Sequence, residues 1–330
     1  QHNDARRQRQ MCIRDRHSEI DLDEILTLLI TEMTFFHKDE RLNILGKDII
    51  EATKLEFSEL TSEQIAITWL VYDSPRTIDI QNATEFGQKQ VRGWSDRGDE
   101  LMYPGGIVHL FYLVAIYEWL EKGMVKTSAE LERAIRDMIL SSNHDGTSLV
   151  VDVLTGTTSG PELSSGPFQT WKYQRNFVNR YFQSLKWPEL KSINVNQKTW
   201  FYGPYGRERI FQGLLMENQN MLTTNATARL LHSIVAGMAV SCQASGKMMN
   251  LLRKNYSQQD AKYATKGQAL GFLDESLPLD ANIWSIGIVD TYVRHNFAYI
   301  ELADLLPYLL VIFTEGKEIS NNNRILPCIS

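Results

Sequence analysis

Apolar residues recur near every 3.6 positions over residues 21–38, where Ile25, Leu28, Leu29, Met33 and Phe36 line one side of a predicted amphipathic helix that begins with acidic residues. A second helix is predicted over 43–56. Residues 65–73, IAITWLVYD, are too few for a helix and rich in β-branched and aromatic side chains, which predicts a buried strand ended by Ser74 and Pro75. The polar stretch 76–103, with Gly87, Gly93 and Gly98, reads as a loop.

The segment 105–123, GGIVHLFYLVAIYEWLEKG, is apolar nearly all round for four turns, so its helix has to be surrounded by other elements. Further helices are predicted over 128–140, 148–154, 168–185, with aromatics Trp171, Tyr173, Phe177, Tyr181 and Phe182 on a core-type face, and 223–235, with Thr223 or Thr224 as its cap; residues 248–254 close another. Between them, 155–166 and 188–207 read as loops. The period then changes: 282–289, 297–302 and 308–314 predict three strands in an antiparallel meander. One early strand, central helices and a late meander make an α+β fold, a helical cluster packed on a sheet that the early strand joins.

Composition narrows the partners. The chain of 330 residues has a net charge of −6, and its first sixteen residues carry five arginines against Asp4 and Asp15, a net +3, which leaves −9 on the rest. Residues 1–16 lack apolar periodicity, and MCIRDR looks like a sequencing-adapter product, so they are set apart as a non-native scar, with a basic nucleic-acid-binding arm as the alternative. An acidic body offers no excess of cations to displace counterions from nucleic acid or to hold an anionic membrane. Cys242 and Cys328 alone, outside that scar, form no disulfide framework or zinc site. Without a visible signal peptide or membrane span, a cytoplasmic location is expected.

Three segments in order carry a resemblance: YPGGIVHLFYLVA from Tyr103, SSNHDGTSLV from Ser141 and IWSIGIVDTYVRH from Ile283. With TTNATARLLHSIV from Thr223 and the strands AYIEL and LLVIFTEG, they make residues 65–330 resemble the class A serine β-lactamase and penicillin-binding superfamily, nearest its soluble, β-lactamase-related serine hydrolase branch. The resemblance implies a β-lactamase-like domain over 61–330, preceded by a helical segment over 17–60.

Such enzymes use Ser-x-x-Lys, whose spacing puts hydroxyl and amine one turn apart on the same helix face. Here Gly106 stands at the serine position and His109 at the lysine position, and no serine in the chain is followed three residues later by lysine. The Ser-Asp-Asn motif becomes Ser142-Asn143-His144, or with a shift of one residue Ser141-Ser142-Asn143. The Lys-Thr-Gly motif becomes Ile286-Gly287-Ile288, without its cation. Glu162 is the nearest acid in a suitable loop for the deacylating glutamate.

The resemblance thus implies a family scaffold that has lost its nucleophile, a pseudoenzyme that binds or regulates through a small-molecule or peptide-like ligand in its cleft. The alternative is a hydrolase of amide or ester bonds using Ser142, Ser285 or a water activated by His109 or His144; a structural subunit is the third reading. His109 reads first as a neutral core histidine, and Asp145 as a turn cap beside His144. Lys198, Arg207 and Arg209 are either a site for an anionic ligand or solvated charges. No cofactor or metal is expected, because His109, His144 and His295 suit zinc by type but not by spacing.

Overall fold

A computed structural model describes residues 35–75, 91–254 and 272–330. Six strands, β1 (Phe36–Lys38), β2 (Ile65–Val71), β3 (Val91–Asp96), β4 (Asn282–Val289), β5 (Val293–Glu301) and β6 (Tyr308–Glu315), form one sheet in the order β1-β3-β2-β6-β5-β4. The predicted early strand and late meander are its centre and one edge: β2 pairs antiparallel with β6 from Ile65 opposite Thr314 to Val71 opposite Tyr308. Antiparallel pairs then join β6 to β5 and β5 to β4.

The sheet extends further than the apolar pattern shows. Residues 36–38, expected as the end of a helix, pair with β3 in parallel, while residues 21–34 of that helix lie outside the described residues. Strand β3 falls in the stretch read as loop, because only Val91 and Trp94 in VRGWSD are large apolar residues. Its Gly93 admits the neighbouring side chains closely: a Cβ there would stand 2.7 Å from both Leu70 and Phe36.

Eleven helices are described: α1 (Glu40–Glu56), α2 (His109–Glu121), α3 (Ala129–Ser141), α4 (His144–Thr155), α5 (Ser165–Arg175), α6 (Phe177–Ser184), α7 (Gly206–Gln212), α8 (Thr224–Val235), α9 (Cys242–Leu252), α10 (Lys317–Asn321) and α11 (Ile325–Ile329). Side-chain oxygens of Asp39, Ser128, Asn143, Thr223 and Ser241 accept from first-turn amides of α1, α3, α4, α8 and α9, satisfying donors that a helix leaves open. The single helix predicted over 168–185 is divided at Asn176 into α5 and α6. Among the described residues no helix is long and apolar enough to cross a membrane.

Two cores flank the sheet. On one face Leu42 and Ile50 of α1, with Phe57 just after it, meet Ile67, Ala298 and Ile312 of the sheet and Ile325 and Leu326 of α11. On the other face α8 lies against β2, β5 and β6, with α2 behind it. A polar latch fixes α8: the Thr68 hydroxyl is 2.8 Å from both Thr224 Oγ1 and Asn225 Oδ1, and Asn225 Nδ2 donates to Asp99 at 2.9 Å. The TTN signature therefore joins helix to sheet.

Helix α2 is enclosed as its sequence predicts, with every residue from His109 to Ile116 buried. Phe111 meets Phe182 of α6 edge to face at 5.1 Å between ring centroids. Phe111→Ala is expected to cost about 3–5 kcal/mol, read as a lower denaturant midpoint at unchanged slope; a loss under about 1 kcal/mol would place α2 outside the core.

Candidate active site

The start of α2 is held from the sheet. After Pro104, residues Gly105–Val108 form a 3-10 turn, entered through Gly105 at φ +50°, a left-handed conformation that favours glycine. Just before it, the Tyr103 carbonyl accepts from His295 Nε2 at 2.8 Å, while His295 Nδ1 accepts from the Thr314 amide at 3.1 Å. These two bonds require the neutral ring with its proton on Nε2. Burial lowers the His295 pKa to about 4, which keeps that form at neutral pH.

Gly106, His109 and Ile288 come together where β4 meets this turn. A Cβ on Gly106 would stand 2.9 Å from Ile288 Cγ2, 3.2 Å from His109 Cε1 and 3.4 Å from His109 Nδ1. One on Gly105 would stand 2.7 Å from Ile288 Cδ1. The isoleucine thus fills space that two side chains would otherwise take. Strand alternation places Ile286 on the same side as Ile288, with Ser285 and Gly287 on the other, where Phe272 leans over Gly287.

His109 is buried, and its Nε2 lies 3.1 Å from Thr147 Oγ1, while Thr147 in turn donates to the Asn143 carbonyl at 2.8 Å. That direction makes Nε2 the donor and leaves Nδ1, buried and without a hydrogen-bond partner among the described residues, on the side of Gly106. Burial first, and the neighbouring His144 second, lower its pKa to about 3. Ser142 occupies a left-handed turn at φ +48°, Asn143 caps α4 by accepting from the Gly146 amide at 2.7 Å, and the His144 ring lies 6.0 Å from that of Phe201.

The remaining cationic candidates have different surroundings. Lys198 is buried and donates to Asp152 Oδ2 at 2.8 Å and Ser159 Oγ at 2.7 Å. Arg175, also buried, pairs with Glu208 and lies 3.3 Å from Asp152. Arg207 Nε donates to the Pro161 carbonyl at 3.0 Å, whereas Arg209 and Glu162 are exposed. Among the described residues no group of three or more His, Cys, Asp and Glu is arranged to hold a metal ion.

A family model described as the beta-lactamase enzyme family matches residues 88–330. The chain belongs to that family. Among solved structures, it is similar to a β-lactamase from Sphaerobacter thermophilus DSM 20745 at 15% identity and TM-score 0.55, covering 85% of this chain and 93% of that one. It is also similar to a variant of PBP-A in an acyl-enzyme complex with penicillin G at 14% identity and TM-score 0.56, covering 89% and 96%. A β-lactamase from Streptosporangium roseum matches at 12% identity and TM-score 0.55, covering 87% and 96%. No curated protein matches the chain.

Within this β-lactamase-family chain, the sequence pattern singles out Gly106 and Lys198 but gives no sign of the cluster of Asp152, Ser159, Arg175 and Glu208 around Lys198. Its members come from separate segments, and only folding places them together.

Two results are expected. Both buried histidines have folded pKa values below the unfolded value, so the unfolded chain binds more protons and stability falls with acidification from about pH 6.5 down to about pH 4. Denaturant titrations should lose up to about 1.4 kcal/mol per pH unit for each histidine in that window, and His109→Leu should reduce the slope; an unchanged slope would contradict the burial of a neutral ring. Separately, Gly106→Ser should destabilise by about 1–3 kcal/mol through its contact with Ile288. A double-mutant cycle with Ile288→Ala should show coupling above about 0.5 kcal/mol, and simple additivity would mean the two do not touch.

Proposed function

We propose that this family member has lost acyl-enzyme formation at the family position and works by non-covalent recognition of a small-molecule or peptide-like ligand. One observation carries the reading: Gly106 has no hydroxyl to acylate, and Ile288 fills the space in front of it. His109 supports it, since a neutral buried imidazole hydrogen-bonded to Thr147 lacks the amine of a Ser-x-x-Lys pair.

An open cavity of about 590 Å³ between α2, α3 and α9 supports the binding role. Glu121 and Glu132 line it together with Arg136 and Lys247, and Leu120 and Ile135 add apolar surface. Opposite charges around an apolar floor suit a zwitterionic, peptide-like ligand.

Intact-protein mass spectrometry after incubation with penicillin G is expected to show no covalent adduct; an adduct lost on Ser142→Ala would overturn the reading. The zwitterionic dipeptide alanylalanine should raise the melting temperature of the wild-type chain and do so less for Lys247→Glu. No shift at millimolar dipeptide would remove the proposed ligand class.

A further inference from the structure

We propose that Ser159 is an acyl-accepting nucleophile, with Glu208 as its proton acceptor and Lys198 as the cation facing its oxygen, and that it takes small esters carrying an anionic group. The site is separate from Gly106 and goes beyond the binding role above. Ser159 is exposed, yet its hydroxyl is held by two side chains buried almost completely: it donates to Glu208 Oε1 at 2.9 Å and accepts from Lys198 Nζ at 2.7 Å.

The direction of both bonds favours nucleophilic attack. The carboxylate draws the proton away while the ammonium faces the charge that develops on oxygen, and burial of both partners strengthens these interactions relative to water. Arg175 holds Glu208, and Asp152 holds Lys198. Glu208 Oε2 is buried without a hydrogen-bond partner among the described residues, so the carboxylate keeps acceptor capacity.

The loop carrying Ser159 is tied on both sides, through Trp171 Nε1 to the Thr158 carbonyl at 2.9 Å and through the Arg207 amide to the Gly160 carbonyl at 3.1 Å. The Arg207 guanidinium lies beside Gly160, where a Cβ would stand 2.8 Å from Nη2. A cation next to the serine selects an ester bearing a carboxylate.

In the step, Ser159 Oγ bonds to the acyl carbon and the ester C–O bond breaks. The serine proton passes to Glu208 and then to the departing oxygen, an alkoxide or phenolate, which restores the carboxylate.

The test uses the full chain and 4-nitrophenyl hydrogen terephthalate, whose para carboxylate cannot reach its own ester. Wild type should release nitrophenol, read as nitrophenolate, in a burst of one equivalent and carry a 4-carboxybenzoyl group on the Ser159 peptide. Ser159→Ala should lose both while keeping a cooperative unfolding transition, and Glu208→Gln should slow the burst about 100-fold. Arg207→Gln should lose the preference for the carboxybenzoyl over the neutral benzoyl ester. Absence of a wild-type adduct, or an adduct that survives Ser159→Ala, overturns the proposal; because Ser159 is exposed, that variant decides the matter even if Glu208→Gln fails to fold. A penicillin adduct dependent on Ser142 would instead count against the reading of Gly106, so the two failures are distinguishable.

Discussion

Ile288 packs against two consecutive glycines, and this contact sets how near the edge strand comes to the helical layer. Side chains at Gly105 and Gly106 would meet the isoleucine at 2.7 and 2.9 Å, inside ordinary van der Waals separation. The turn can therefore press on β4 only while both Cβ atoms are missing. His295 completes the attachment by linking the Tyr103 carbonyl to the β6 backbone. With its start fixed in this way, α2 runs through the middle of the helices and buries His109.

The buried polar groups are handled in two ways. His109 and His295 remain neutral, because desolvation of an isolated imidazolium is unfavourable and no carboxylate among the described residues is positioned to offset it. Lys198, Arg175, Asp152 and Glu208 instead bring two charges of each sign together, so that each ion has an opposite partner. The first arrangement leaves uncharged imidazoles beside Gly106 and behind the turn that precedes it. The second surrounds a solvent-facing hydroxyl with a donor and an acceptor.

Much of the fold was legible along the chain. The apolar run of α2, the alternation and β-branching of β2 and β4 to β6, and the cap of α8 are local signals that survive folding. Strand β3 was not legible, since its pairing with β1 and β2 stabilises a segment whose own residues favour a loop. The break between α5 and α6 at Asn176 was equally hidden in a continuous aromatic pattern.

Residue identity along the chain is enough to show that Gly106 carries no side chain, that His109 stands three residues beyond it, and that residues 286–288 hold no cation. These are matters of residue identity at a known spacing, and no packing can supply a missing hydroxyl or amine. The filling of the space at Gly106 by Ile288 and the reach of Ser159 to Lys198 and Glu208 arise in the folded chain alone. Those contacts join residues 182, 39 and 49 positions apart, and their geometry depends on how whole layers pack rather than on any local pattern.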